Sequence, residues 1–254
     1  MHIEIEGRAA TAAQLGAAAP AGYGHFTAMQ VRNGRVRGLG LHLARLDAAN
    51  REMFGTGLDT AAVAGYIRHA LSGQTRDASV RVYVYEAPDR PTVMVTVRPP
   101  GTMAPDVWRL QTVPYQRSLA HIKHIGDFGQ GYYGRLANRN GFDEALLTAP
   151  DGIICEGSIT NIGISDGTGV LWPDAPALAG ITMQLVERAL AERGVPSRRA
   201  PVHVSGLGSF AGAFVTNSHG IAPVGQVDDL ILPVDGALMS AVTQAYESAG
   251  WDRI

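Results

Sequence analysis

HIKHIGDF, residues 121–128, contains Lys123, the single lysine of a 254-residue chain in which arginine supplies every other strongly basic side chain. A lysine in a partly apolar segment loses hydration, which favours the neutral amine. A neutral amine attacks carbonyl carbon and forms Schiff bases. The competing reading is a solvated surface lysine, the usual setting of a charged side chain. Scarcity does not choose between them, because the Ala/Gly/Arg-rich composition of a GC-rich genome removes lysine on its own. His121 and His124 flank the lysine three residues apart. On a helix that spacing puts two imidazoles on one face as possible metal ligands. No carboxylate or cysteine at matching spacing completes a site, so no metal is expected.

The bulk properties narrow the class of protein. With 17% charged residues and a formal net charge of −2, the chain has neither the basic excess of a phosphate-backbone binder nor that of a membrane-surface protein. The densest basic run is Ser197-Arg198-Arg199. One cysteine, Cys155, excludes an internal disulfide and suits a reducing compartment. The opening MHIEIEGR alternates apolar and charged residues, unlike a signal peptide. No apolar run has the length of a membrane span. A cytoplasmic protein acting on small molecules is expected, without nucleic-acid or membrane partners.

The chain shows no repeat and no low-complexity segment. HIEIE (2–6) reads as a strand, and HFTAMQVRNGRVRGL (25–39) as a hairpin turning at Asn33-Gly34. LHLARLDAANREMFG (41–55) and LDTAAVAGYIRHALSG (58–73) read as consecutive helices, the second capped by Asp59 or Thr60. Strands follow at 78–87, 91–100 and 108–116, the first two joined by a Pro/Asp turn. Residues 127–140 are Gly- and Tyr-rich yet helical in pattern. Residues 143–173 form a run of short strands. GITMQLVERALAERGVP (180–196) is the clearest helix, entered at Thr182 and ended by Gly194 and Pro196. Strand–turn–strand at 212–229 and a helix at 235–250 complete the chain. The pattern is α+β with mixed sheets, divided as residues 1–113, a linker at 114–120, and residues 121–254.

Three segments offer chemical partners for an amine. In CEGSITN (155–161), Glu156 follows the apolar pair Ile153-Ile154, and a carboxylate ending a buried strand needs a partner such as a protonated ring nitrogen. LAGIT (178–182) opens the strongest helix, whose free N–H groups and positive dipole end suit an anion. TNSHG (216–220) ends a strand in small polar residues and is a second anion candidate. Each has a bland reading as a cap or a turn. One amine, one carboxylate and two phosphate-type cradles together match the needs of pyridoxal 5'-phosphate.

With these residues in order, the chain resembles the class IV, fold-type IV pyridoxal-phosphate enzymes over nearly its whole length. That family holds branched-chain, D-amino-acid and (R)-amine transaminases and aminodeoxychorismate lyase. GYGHFTAMQVRNGRV (22–36) is similar to the family's opening hairpin and HLARL (42–46) to its His-x-x-Arg-Leu element. Lys123, then Gly141 and DEALL (143–147), follow the family's lysine-to-strand order. DGIICEGSITNIG (151–163), LAGIT and TNSHGIAPV (216–224) resemble its glutamate, helix-start and phosphate-turn motifs. The resemblance implies two α/β domains with the cofactor at their interface, and a homodimer. It implies that Lys123 forms the internal aldimine and shuttles the proton at substrate Cα. It further implies that Glu156 pairs with the pyridine nitrogen, that Arg45 clamps the phosphate, and that Ile181 and Thr182 offer it backbone N–H groups. Asn217 and Ser218 fall at the second phosphate contact, and Asn161 shapes the strand after Glu156.

The implied reaction is transamination between an amino donor and a keto acid or ketone. The alternatives are a lyase of the aminodeoxychorismate type releasing pyruvate, and a cofactor-binding protein with degenerate activity. The substrate side departs from the family's branches. Met183 stands where many relatives have arginine, Glu86 where a carboxylate-binding arginine is usual, and Phe128 where branched-chain enzymes carry a tyrosine. No carboxylate clamp is evident from the sequence.

Overall fold

The computed structural model describes residues 1–73, 76–88, 90–104 and 106–254. In chain order it contains β1 (His2–Ile5), β2 (Arg8–Ala9), α1 (Ala12–Ala18), β3 (Gly24–Val31), β4 (Arg35–Arg37), α2 (Leu39–Phe54), α3 (Thr60–Leu71), β5 (Ala78–Tyr85), β6 (Thr92–Arg98) and β7 (Trp108–Pro114). There follow α4 (Phe128–Arg139), β8 (Glu144–Thr148), β9 (Ile154–Gly157), β10 (Asn161–Ser165), β11 (Val170–Pro173), α5 (Ile181–Glu192) and β12 (Ser197–Ala200). The chain closes with β13 (Gly212–Asn217), β14 (Gly220–Val227), β15 (Leu230–Ile231), α6 (Gly236–Ser248) and β16 (Trp251–Arg253). No helix is long and apolar enough to cross a membrane among the described residues.

Two compact units result: Met1–Gly101 with Ile122–Gly126 and Gly250–Ile254, and Thr102–His121 with Asp127–Ala249. In the first, the strands lie in the order β2-β1-β6-β5-β3, antiparallel throughout. Val80, Val82 and Val84 alternate along β5 and Val93, Val95 and Val97 along β6, so each strand commits one face to a core shared with Leu46, Val63 and Ile67 of α2 and α3. The intervening Arg81 and Tyr83 stay on the more open face. Asn33 and Gly34 both have positive φ (51° and 69°), as a two-residue hairpin turn of the I′ kind demands. Asp59, not Thr60, caps α3, its carboxylate accepting the Ala62 N–H at 2.9 Å. The short α1 carries no buried residue, which is why no apolar period announced it; a Thr11–Gln14 capping box holds its start.

The second unit is built on the path β12-β11-β10-β13-β14-β7-β8-β9, with β15 added to β14. Here the sheet is mixed: β7 runs parallel to both β8 and β14. Ile162, Ile164, Val215 and Val224 fill one core. Met183, Val186 and Leu190 of α5 and Val242 of α6 pack with Trp172 and Phe214 in another. The division expected at 113 differs from this contact pattern for a definite reason. Strand β7 belongs to the second sheet because it hydrogen-bonds with β8 and β14. The segment 122–126 joins the first unit by pairing with β3, and β16 joins it by pairing with β4. The supposed linker contains the buried Arg117. The turn between β5 and β6 includes residue 89, which lies outside the described residues.

Candidate active site

Lys123 is not on a helix. Its segment runs antiparallel along the outer edge of β3: Phe26 N–H donates to the Lys123 carbonyl at 2.8 Å and Ile125 N–H to the Gly24 carbonyl at 2.9 Å. Backbone bonds on both sides of the lysine fix where its side chain starts. Its Nζ lies 4.9 Å from the centre of the Phe26 ring, an amine held over an aromatic face rather than projecting from a loop. Phe26 stacks on Tyr83 at 5.4 Å, and Arg81 sits over the same ring at 5.9 Å while donating to the Tyr83 hydroxyl at 3.4 Å. Arg81 is a cation on this open sheet face, on the same strand whose end precedes Glu86. Glu86 itself is exposed.

The next residue of β3 faces the other way and holds the phosphate-clamp candidate. Arg45 Nη2 donates to Thr27 Oγ1 at 2.5 Å, and Thr27 lies 2.7 Å from His42 Nδ1. Burial, then the charge of Arg45, pushes His42 down to about 3, so its imidazole is neutral. Thr27 Oγ1 thus accepts from Arg45 and also contacts the neutral His42 ring, linking the two residues of HLARL through one hydroxyl. Burial lowers the Arg45 guanidinium to about 10, still charged at neutral pH. Its Nε is buried without a partner, as is His25 Nδ1. A buried guanidinium with an unsatisfied donor suits an anion, so the residues present fit a phosphate. His42 and Arg45 of HLARL are thus explained together.

In the second unit Glu156 is buried and already held. Arg117 Nε donates to its Oε1 at 2.7 Å and the Leu178 N–H to its Oε2 at 3.0 Å. The sequence supplied Glu156 without its arginine, because the two stand on separate elements. Behind Glu156 the turn 157–160 closes on a second buried carboxylate. Glu144 accepts from the Ile159 N–H at 2.5 Å, the Ser158 hydroxyl at 3.2 Å and the Thr160 hydroxyl at 2.9 Å. A Cβ at Gly157 would run into Thr160 and Glu144, so this turn accepts only glycine there. Burial raises Glu144 to about 7 despite those donors. Because the fold keeps this proton longer than the unfolded chain, stability falls as pH rises from the ordinary carboxyl value toward 7. Glu144→Gln is expected to flatten that slope, which spans on the order of 3 kcal/mol; denaturant titrations at pH 5 and pH 7.5 check it.

The LAGIT motif lies at the start of α5, which begins at Ile181. Gly180 precedes α5 with no side-chain cap, leaving first-turn N–H groups without intrahelical acceptors. The Thr182 hydroxyl donates to the Asn217 carbonyl at 2.7 Å, which ties the two anion candidates together. Asn161 Nδ2 donates to the Leu178 carbonyl at 2.7 Å, and a Cβ at Gly180 would collide with its Oδ1. Asn161 therefore positions the 178–180 loop rather than only its own strand. The side chain of Asn217 accepts from the His219 N–H at 2.8 Å and serves its own turn, where Ser218 also lies. The unsatisfied donor is one residue earlier, the buried Thr216 hydroxyl. TNSHG thus contains, beside Asn217 and Ser218, a buried hydroxyl that the linear motif did not single out.

The departures also have places. Met183 packs into the α5–α6 core and presents no charge to a ligand. Phe128 is 84% exposed at the start of α4 and stacks on Tyr132 at 6.3 Å. His121 is exposed and His124 half-buried, and no group able to hold a metal occurs among the described residues.

Residues 24–227 match the family described as Amino-transferase class IV. No curated protein matches the chain. The fold superposes on a hypothetical aminotransferase from Mycobacterium tuberculosis, apo form, with a TM-score of 0.85, 21% identity and 98% of each chain covered. It superposes on a branched-chain aminotransferase from Thermoproteus uzoniensis with a TM-score of 0.83 and 21% identity, over 97% of this chain and 93% of that one. A putative 4-amino-4-deoxychorismate lyase from Legionella pneumophila gives 0.80 and 15% identity, over 90% and 92%. The chain belongs to the class IV aminotransferase family. With the family come fold type IV, pyridoxal 5'-phosphate as cofactor, and amino-group transfer as the class of reaction.

Proposed function

We propose that the protein is a transaminase in which Lys123 both holds the cofactor carbonyl and moves the proton at substrate Cα. The observation that carries this reading is the placement of the chain's one lysine, with Nζ 4.9 Å over Phe26 and its backbone locked to β3. Bound pyridoxal phosphate supplies a carbonyl carbon for amines and a ring that withdraws the electron pair left at Cα. Arg45 is read as the phosphate clamp, since it is the buried cation with a donor to spare. Within the second unit the N–H groups of Ile181 and Thr182 are read as phosphate donors, and so is the 216–218 strand end with Thr216, Asn217 and Ser218, which the Thr182–Asn217 hydrogen bond ties to the helix start. Glu156 is read as the acceptor for the ring nitrogen, one lone pair on each oxygen being left over by Arg117 and Leu178. Arg81 on the open face is read as the cation for a donor's carboxylate. We also read the protein as a cytoplasmic homodimer, on the lone buried cysteine and the family's habit; light scattering of the loaded protein checks the dimer.

The loaded enzyme mixed with an amino donor and no acceptor tests the reading. Conversion of bound cofactor to its pyridoxamine form, one equivalent per chain, is expected. Donors bearing a carboxylate should react at lower concentration than simple amines, through Arg81. Steady pyruvate release without an acceptor would assign the lyase reaction instead. A fully loaded protein inert to D- and L-amino acids and (R)-amines would identify a degenerate member.

A further inference from the structure

The geometry points to Arg117 as the positioning residue that keeps the proton shared between Glu156 and the cofactor's ring nitrogen on the ring. The inference rests on reading Glu156 as the ring partner and adds a residue that the motifs do not contain. The pair is nearly out of solvent, with 4% and 6% of the Arg117 and Glu156 side chains exposed. The Arg117 guanidinium is held by a second nitrogen as well, because its Nη2 donates to the Ala120 carbonyl. The Leu178 N–H holds the second carboxylate oxygen at 3.0 Å, so the group cannot rotate away from the guanidinium without losing a bond.

The surroundings leave this role to Arg117. Glu144, the nearest other acid along the turn, is engaged with residues 158–160. The thiol of Cys155 is pushed up, first by burial and also by the charge of Glu156, so it adds no charge of its own. A buried carboxylate that loses its cation takes up a proton if one is within reach. The nearest would be the one on the ring nitrogen. Arg117 opposes that transfer because its guanidinium touches Glu156 directly and favours the charged carboxylate. No bond other than N–H or O–H changes, and the proton count of the pair is constant. A ring left neutral withdraws electrons less well, so Cα deprotonation slows while donor binding is little altered.

Arg117→Gln, Arg117→Lys and Glu156→Gln, loaded with cofactor labelled with nitrogen-15 in the ring, give the direct test by NMR. The wild type and Arg117→Lys should report a protonated ring nitrogen, and Arg117→Gln and Glu156→Gln a neutral one. Arg117→Gln should lose on the order of 10²-fold in kcat with little change in donor KM. A protonated signal in Arg117→Gln beside a neutral one in Glu156→Gln would overturn the role of Arg117 and leave Glu156 in place. A protonated signal in both would remove Glu156 as ring partner and the inference with it. Thermal unfolding of the cofactor-free proteins supplies a second readout. Each single substitution should lower Tm by several degrees and the Arg117→Gln/Glu156→Gln double variant should recover most of the loss; strictly additive losses would contradict the coupling.

Discussion

Lys123→Ala is expected to abolish amino transfer, by on the order of 10⁴-fold or more, and to remove the absorbance of lysine-bound cofactor. The variant contains no lysine at all. No neighbouring side-chain amine can take over the attack on the cofactor carbonyl or the proton transfer at Cα. Folding should survive, because the ties between this segment and β3 run through the Phe26 and Ile125 N–H groups and the Lys123 and Gly24 carbonyls, all backbone. A circular dichroism spectrum like that of the wild type, with the cofactor retained but no longer covalently held, distinguishes lost chemistry from lost structure. Added methylamine should restore part of the rate by replacing the missing amine.

Arg45→Gln should separate stability from cofactor binding. In the cofactor-free protein this guanidinium is a buried charge with an unpartnered Nε and no carboxylate. Removing it takes away an uncompensated burial cost, so the cofactor-free protein is expected to hold its stability or gain about 1 kcal/mol. The loaded protein should show the reverse. The charge-assisted hydrogen bonding to phosphate is lost, and cofactor affinity should fall by on the order of 10²-fold or more. Unfolding curves with and without cofactor, and a cofactor titration followed by tryptophan fluorescence, measure both sides. A large stability loss in the cofactor-free Arg45→Gln protein would mean that Arg45 serves the fold and not an anion.

The parts of this site that were legible in the sequence are those that lie within a few residues of each other. HLARL joins His42 and Arg45 on one helix, LAGIT is a helix start, and Glu156 ends an apolar strand; each is a local pattern with a local reason. The illegible parts are pairings across elements. Arg117 meets Glu156, Glu144 closes the 158–160 turn, and Thr27 relays Arg45 to His42 only after the strands have found their partners. The same holds for the fold. Valine alternation marked β5 and β6, while the exposed α1 and the short β12, β15 and β16 carry too few apolar residues to announce themselves. The expected division at 113 differs from the contact units because strand pairing, not composition, decides where β7 and residues 122–126 belong.

Reduction of the loaded protein with borohydride, followed by intact mass and peptide mapping, tests the central claim most directly. The chain offers only Lys123 and the N-terminal amine for a permanent link to the cofactor. The account predicts one pyridoxyl-phosphate group per chain, on the peptide containing Lys123, and none in Lys123→Ala. A group found on the N-terminus, or no group on Lys123 in a protein that transfers amino groups, would contradict it.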